Sequence, residues 1–169
     1  MAWFEDIEIG RVMELGSHTF TSDDIIRFAK MYDPQPFHTD PEAAKDSHFG
    51  GLVAAGWHIA AVWMKLMIGA RETAPKDESK PAPNGRQAPQ GGPSPGFFDL
   101  RWIKPVRAED TISYRTTTIE KVDLKSRPNQ GIIRSLNEGF NQNGELVFSF
   151  IGQGLIERRD PYSPEETSQ

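Results

Sequence analysis

The chain of 169 residues contains no cysteine, which excludes disulfide staples and thiol nucleophiles and is compatible with a reducing compartment. It also has no run of lysine or arginine: 19 basic side chains stand against 24 acidic ones for a net charge of −5. The basic footprint of a nucleic-acid binder is therefore missing. The opening MAWFEDIEIG carries two acids, no early basic cluster and no uninterrupted apolar core, so it does not read as a secretory leader and a cytoplasmic location is expected. The longest apolar stretch, residues 52–70, is broken by His58 and Lys65, which favours a buried helix over a membrane span. The length matches one ordinary domain, and residues 1–169 are taken as a single unit.

What is present begins with a weak strand over residues 11–20, carried by Val12, Leu15, Thr19 and Phe20. Thr21 or Ser22 then caps a short helix whose first turn holds Asp23 and Asp24, where carboxylates suit exposed amides. Ile25, Phe28, Ala29 and Tyr32 share one face at helical spacing and are expected to pack inward. Pro34 and Pro36 forbid continuation, and Asp40-Pro41 is a second helix start. Residues 52–70 read as a long helix that is apolar on nearly every side and needs wrapping by other structure.

Residues 72–96 collapse into Pro, Gly, Lys, Ser and Gln, with six of the 13 prolines. This reads as a long exposed loop: either a tolerated insertion, or a lid or dimer contact. Beyond it the period changes to two, and strands are predicted over 97–103, 111–122, 132–140 and 145–156. Asn143-Gly144 between the last two signals a tight hairpin, and the four strands read as an antiparallel meander. Residues 157–169 form a polar tail expected to fray. A curved sheet wrapped around one long helix satisfies both patterns, giving an α+β fold whose open edges call for a second copy.

The chain is organised around YDPQPFHTDPEAAKDSHFGGLVAAG, residues 32–56, which delivers Asp33 and His38 to the start of the apolar helix. Taken alone, such a pair also fits a turn-capping aspartate and a backbone-bonded histidine. His38, Asp40, His48 and His58 follow no tight ligand spacing and lack a cysteine companion, so no metal site is expected. His58 reads as a packing or hydrogen-bonded residue.

Three blocks, YDPQPFHTDPEAA, FGGLVAAGWH and LRWIKPVRAEDT, fall in order over residues 14–156. In them the chain resembles the MaoC-like dehydratases and R-specific enoyl-CoA hydratases of the hot-dog superfamily. The resemblance implies a hot-dog fold, catalytic Asp33 and His38, and an oxyanion contact from the amide of Gly56, with Ala55 beside it. It implies hydration of a trans-2-enoyl-CoA to the (R)-3-hydroxyacyl-CoA, or the reverse. No metal or redox cofactor is expected, and coenzyme A counts as part of the substrate. Carboxylate and imidazole converging on one water can deprotonate it as it attacks C3 and return a proton to C2, and imidazole titrates near neutrality. Donors aimed at the thioester oxygen lower the barrier as charge builds there.

Gln35, Phe37, Ala55, Trp57, Arg101 and Lys104 are the candidate substrate-binding residues. Gln35 departs from the asparagine common at that position in the family. Arg101, Lys104 and Arg107 offer charge for coenzyme A phosphates, although basic residues flanking a strand also make a solvated face. The expected partners are an acyl-CoA substrate and a second copy of the chain, with neither nucleic acid nor membrane. Two other readings stay open: a thioesterase on the same fold, and a non-catalytic acyl-CoA binding module.

Overall fold

The computed structural model describes residues 2–73, 89 and 91–163. A 3-10 turn (Phe4–Asp6) precedes β1 (Val12–Thr19), α1 (Ser22–Tyr32), α2 (Pro36–Thr39), α3 (Pro41–Lys45), α4 (Gly56–Thr73) and the strands β2 (Phe97–Trp102), β3 (Thr111–Asp123), β4 (Gln130–Phe140) and β5 (Leu146–Glu157). The strands form one antiparallel sheet in the order β1-β3-β4-β5-β2. With α4 on its inner face this is the hot-dog arrangement expected from the sequence.

The predicted four-strand meander needs correction. Only β3, β4 and β5 follow one another across the sheet, while β2 crosses to the far edge beside β5 and β1 occupies the place next to β3. The hairpin between β4 and β5 turns on Gly144 with φ of 75°. The Asn141 side chain steadies it by accepting from the amides of Asn143 and Glu145.

Thr21 caps α1 by accepting from the Asp24 amide at 3.2 Å. Ile25 and Ala29 are fully buried, but Tyr32 is exposed against expectation, because α1 ends there and its last turn reaches past the core. The long helix begins at Gly56, four residues later than predicted. Residues 52–55 are buried in extended backbone, where Val53 bridges Arg107 and the Ala54 amide donates to Val106.

One face of α4, carrying Ile59, Val62, Trp63 and Met67, packs with Phe20, Ile112, Tyr114, Val147, Phe148 and Phe150 into the main core. Tyr114 is fully buried, donates its hydroxyl to the Ile59 carbonyl and has its pKa driven far upward by burial. The opposite stripe of α4, Trp57, Met64 and Ile68, is exposed, as are Phe97, Phe98 and Trp102 of the edge strand β2. The wrapping predicted for α4 is thus one-sided in a single chain.

The polar tail is anchored further than expected. Arg158 pairs with Glu5 and Asp123, Arg159 pairs with Asp6, and the Tyr162 amide donates to Pro128. Of the predicted loop at 72–96, residues 74–88 and 90 lie outside the described residues, and Gly91 bridges Ile156 at its far end.

Candidate active site

The site grows from two prolines and one cap. Pro34 prevents α1 from continuing, so Asp33 becomes its C-cap, with its amide still bonded to the Ala29 carbonyl. Pro36 sits at the first position of the single-turn helix α2, which replaces the predicted irregular loop and carries His38 in its last turn. Asp40 ends α2 through its amide, bonded to the Pro36 carbonyl, and starts α3 by accepting from the amides of Glu42 and Ala43. His38 is therefore held on a rigid turn between two fixed points.

The imidazole of His38 is buried, and its Nδ1 lies 2.7 Å from the Val53 carbonyl oxygen. A carbonyl only accepts, so Nδ1 carries the proton of the neutral ring and Nε2 keeps its lone pair. Nε2 lies 3.5 Å from Asp33 Oδ2. That is long for a hydrogen bond and leaves both lone pairs able to accept from one small donor between them. The other oxygen, Oδ1, accepts from the Gln35 side-chain amide at 2.7 Å. Gln35, unexplained by sequence, thus pins the carboxylate so that Oδ2 faces the histidine.

Asp33, Phe37, His38, Gly56, Trp57, Trp102 and Lys104 all line one cavity of about 510 Å³. It opens at the start of α4, where the residue before Gly56 is alanine and offers no capping side chain. The amides of Gly56 and Trp57 have no hydrogen-bond acceptor among the described residues, so a ligand oxygen can take that place. A Cβ at Gly56 would fall 2.4 Å from the Trp102 ring, so the glycine also admits that indole.

The remaining candidates divide. Ala55 is buried behind the helix start. Lys104 reaches the cavity but its ammonium is paired with Glu145, whose pKa is lowered chiefly by that hydrogen bond. Arg101 is exposed on β2 opposite Ser149, away from the pocket. His58 packs in parallel against Phe28 with centroids 4.4 Å apart, as the packing reading had it. Among the described residues no cluster of three or more His, Asp or Glu side chains is placed to hold a metal. Sequence reasoning missed Val53, which acts through a backbone oxygen, and Trp102, which meets Gly56 only through the fold.

The profile of the MaoC like domain family matches residues 6–75, which contain Asp33, Gln35, His38 and the amides of Gly56 and Trp57. Among curated proteins, the chain is 29% identical over 155 residues to an uncharacterised Bacillus subtilis protein, covering 91% of this chain and 98% of that one. It is 34% identical over 71 residues to the mesaconyl-CoA hydratase of Cereibacter sphaeroides, covering 41% of this chain and 20% of that enzyme. Among solved structures, the MaoC-like dehydratase from Rhodospirillum rubrum superposes with a TM-score of 0.74 at 33% identity, over 94% of this chain and 98% of that one. Identity of a third, sustained over nearly the whole of both chains and joined to a shared architecture, makes this chain a member of the MaoC-like dehydratase family.

Proposed function

We propose that this protein hydrates a trans-2-enoyl-CoA to the (R)-3-hydroxyacyl-CoA, or catalyses the reverse dehydration, through Asp33 and His38. The observation that carries the reading is the pair of free lone pairs, His38 Nε2 and Asp33 Oδ2, 3.5 Å apart in a cavity that also holds the uncapped start of α4. A water donating one hydrogen to each is aimed by them, and its oxygen attacks C3 of the enoyl group. As the C3–O bond forms, His38 Nε2 takes the proton of the water. The C2–C3 π electrons shift toward the carbonyl, and the thioester oxygen gathers charge opposite the Gly56 and Trp57 amides. C2 then takes the proton back from the imidazolium, so one water is added and nothing is oxidised or reduced. The R configuration follows the family resemblance.

The mesaconyl-CoA hydratase that matches 71 residues of the chain supports a coenzyme A thioester as substrate. No helix among the described residues is long and apolar enough to cross a membrane, and the reading is of a cytoplasmic enzyme that uses no cofactor beyond its substrate. A second copy is the expected cover for Trp57, Met64 and Ile68 of α4 and for the open edge of β2, since an apolar stripe beside an unpaired strand is a costly surface to leave in water. The test is loss of enoyl absorbance with crotonyl-CoA and with longer or branched enoyl-CoAs. Turnover without release of free thiol is expected. Thiol release would instead establish a thioesterase, and folded protein inert on the whole panel would defeat the proposal.

A further inference from the structure

The inner face of the sheet changes character halfway along its strands. Beside the first turns of α4 it presents Ile112, Tyr114, Phe148 and Phe150, all buried in the core. The same alternation then brings Thr116 and Thr118 of β3 into register with Asn137 and Ser135 of β4. These four, with Trp63, Met67 and Arg71 of α4, line a cavity of about 190 Å³. A neighbouring cavity of about 330 Å³ shares Trp63, Met67, Arg71 and Gly152 with it and extends to Trp57, which is also a wall of the Asp33 and His38 pocket. The three spaces adjoin along α4, and the far one sets these polar side chains into an otherwise largely apolar wall.

Three atoms at that far end are buried and have no hydrogen-bond partner among the described residues: Trp63 Nε1, Thr116 Oγ1 and Asn137 Oδ1. Asn137 is only 1% exposed. Its Nδ2 donates to the Ser135 carbonyl at 2.9 Å and reaches the Phe150 carbonyl at 3.5 Å. Both carbonyls only accept, so the amide cannot be reversed and Oδ1 is the atom left over. Gly152 makes the room, because a Cβ there would come within 3.0 Å of Asn137 Nδ2.

The chemistry of the three atoms selects their ligand. Indole N–H only donates, the amide oxygen only accepts, and the threonine hydroxyl does either. A methyl terminus would leave all three unpaired, which is unfavourable for buried groups. A carboxylate would suit Arg71, which is exposed on the same wall, but would set its lone pairs against those of Asn137. A hydroxyl donates once and accepts twice, and matches the set.

We propose that this end of the cavity is a subsite for an acyl chain carrying a hydroxyl at its distal end, held by Asn137 Oδ1, Thr116 Oγ1 and Trp63 Nε1. The proposal rests on the hydratase reading of Asp33 and His38. Gly56 to Trp63 is seven residues, roughly 10 Å along the helix, and an extended chain at roughly 1.2 Å per bond spans that in about nine bonds. The hydroxyl therefore belongs on a chain of about ten carbons.

The test compares kcat/KM for trans-2-decenoyl-CoA, its 10-hydroxy derivative and the corresponding ω-carboxylate, followed by enoyl absorbance. The hydroxylated chain is expected to be favoured about tenfold over the plain one, the discrimination of roughly one buried hydrogen-bonded group. Thr116→Val, which keeps the side-chain shape, and Trp63→Phe should each move that ratio toward one. A ratio of one or less, preference for the carboxylate, or a ratio unmoved by both variants overturns the subsite and leaves the hydratase reading standing. Saturated 10-hydroxydecanoyl-CoA and decanoyl-CoA, which cannot be hydrated, are titrated by calorimetry alongside. Equal Kd, or no binding of either, also overturns the subsite. Tighter binding of the hydroxylated chain with no turnover of any enoyl-CoA supports the subsite and sinks the hydratase reading alone.

Discussion

His38 and His58 are equally deep in the protein, 6% and 7% exposed, yet their ring nitrogens face different worlds. His38 donates Nδ1–H to Val53 and turns Nε2 toward Asp33 in an open cavity. His58 lies parallel to Phe28 and edge-on to Phe20, with Nδ1 buried and unpartnered among the described residues. Burial first, and then the nearby His18, push the His58 pKa down to about 4. Depth does not make a histidine a base. A partner that fixes one nitrogen and an opening for the other do, and His58 is instead an aromatic filler that must stay uncharged.

The comparison breaks most visibly in catalysis. His38→Ala and Asp33→Asn are each expected to lower kcat by about 10²–10⁴-fold, the usual weight of general acid–base groups. Their melting temperatures should stay near that of the parent, whereas His58→Phe should keep turnover within about threefold, a small fraction of what such a group supplies. An enoyl-CoA assay paired with thermal unfolding reads all three, and a His58 variant as inactive as His38→Ala would erase the distinction.

Acid separates the two next. Because the native His58 binds its proton more weakly than the unfolded chain, with its ordinary pKa near 6.5, the unfolded state takes up the extra proton between about pH 6.5 and 4. Stability is therefore lost as pH falls through that window, by at most about 3 kcal/mol. His58→Phe should remove that part of the acid limb, measured as the difference between the two proteins in urea midpoint at pH 7 and pH 4.5. Equal losses in both would assign the acid limb elsewhere.

Smaller effects test what holds His38 in place. Gln35→Ala should lower kcat about tenfold, near 1.4 kcal/mol of barrier, with little change in KM, because it frees Asp33 Oδ1 without touching the histidine. Asp40→Ala should cost about 1 kcal/mol of stability as the cap of α3 is lost. That is read by chemical denaturation, and a change in KM alone would argue against a positioning role.

Much of this was legible in the letters because it depends on local punctuation. Thr21, Pro36 and Asp40-Pro41 each act within a turn, and Asn141 to Gly144 close a hairpin on themselves. The Asp33 and His38 pair was singled out through the family resemblance, since the letters alone fit a turn-capping aspartate and a backbone-bonded histidine equally well. The prolines explain only how five residues are bent into proximity. The place of β2 beside β5 was not legible, since the two strands lie some fifty residues apart and only packing decides which edge of the sheet β2 joins. Nor was the bare side of α4: an all-round apolar helix does not announce which stripe its own chain will cover. Val53 was invisible for a simpler reason, because every residue has a carbonyl.

The close meeting of Gly56 and Trp102 has a consequence for how this site can change over time. The atom that blocks a side chain at 56 belongs to an indole on the edge strand, so the two positions are locked as a couple. Enlarging the first alone would drive the ring out of the pocket wall, and shrinking the second alone would open a hole beside the helix start. A path to alanine at 56 has to pass through a smaller residue at 102, so the freedom of the uncapped amide at the start of α4 is inherited from a side chain forty-six positions downstream.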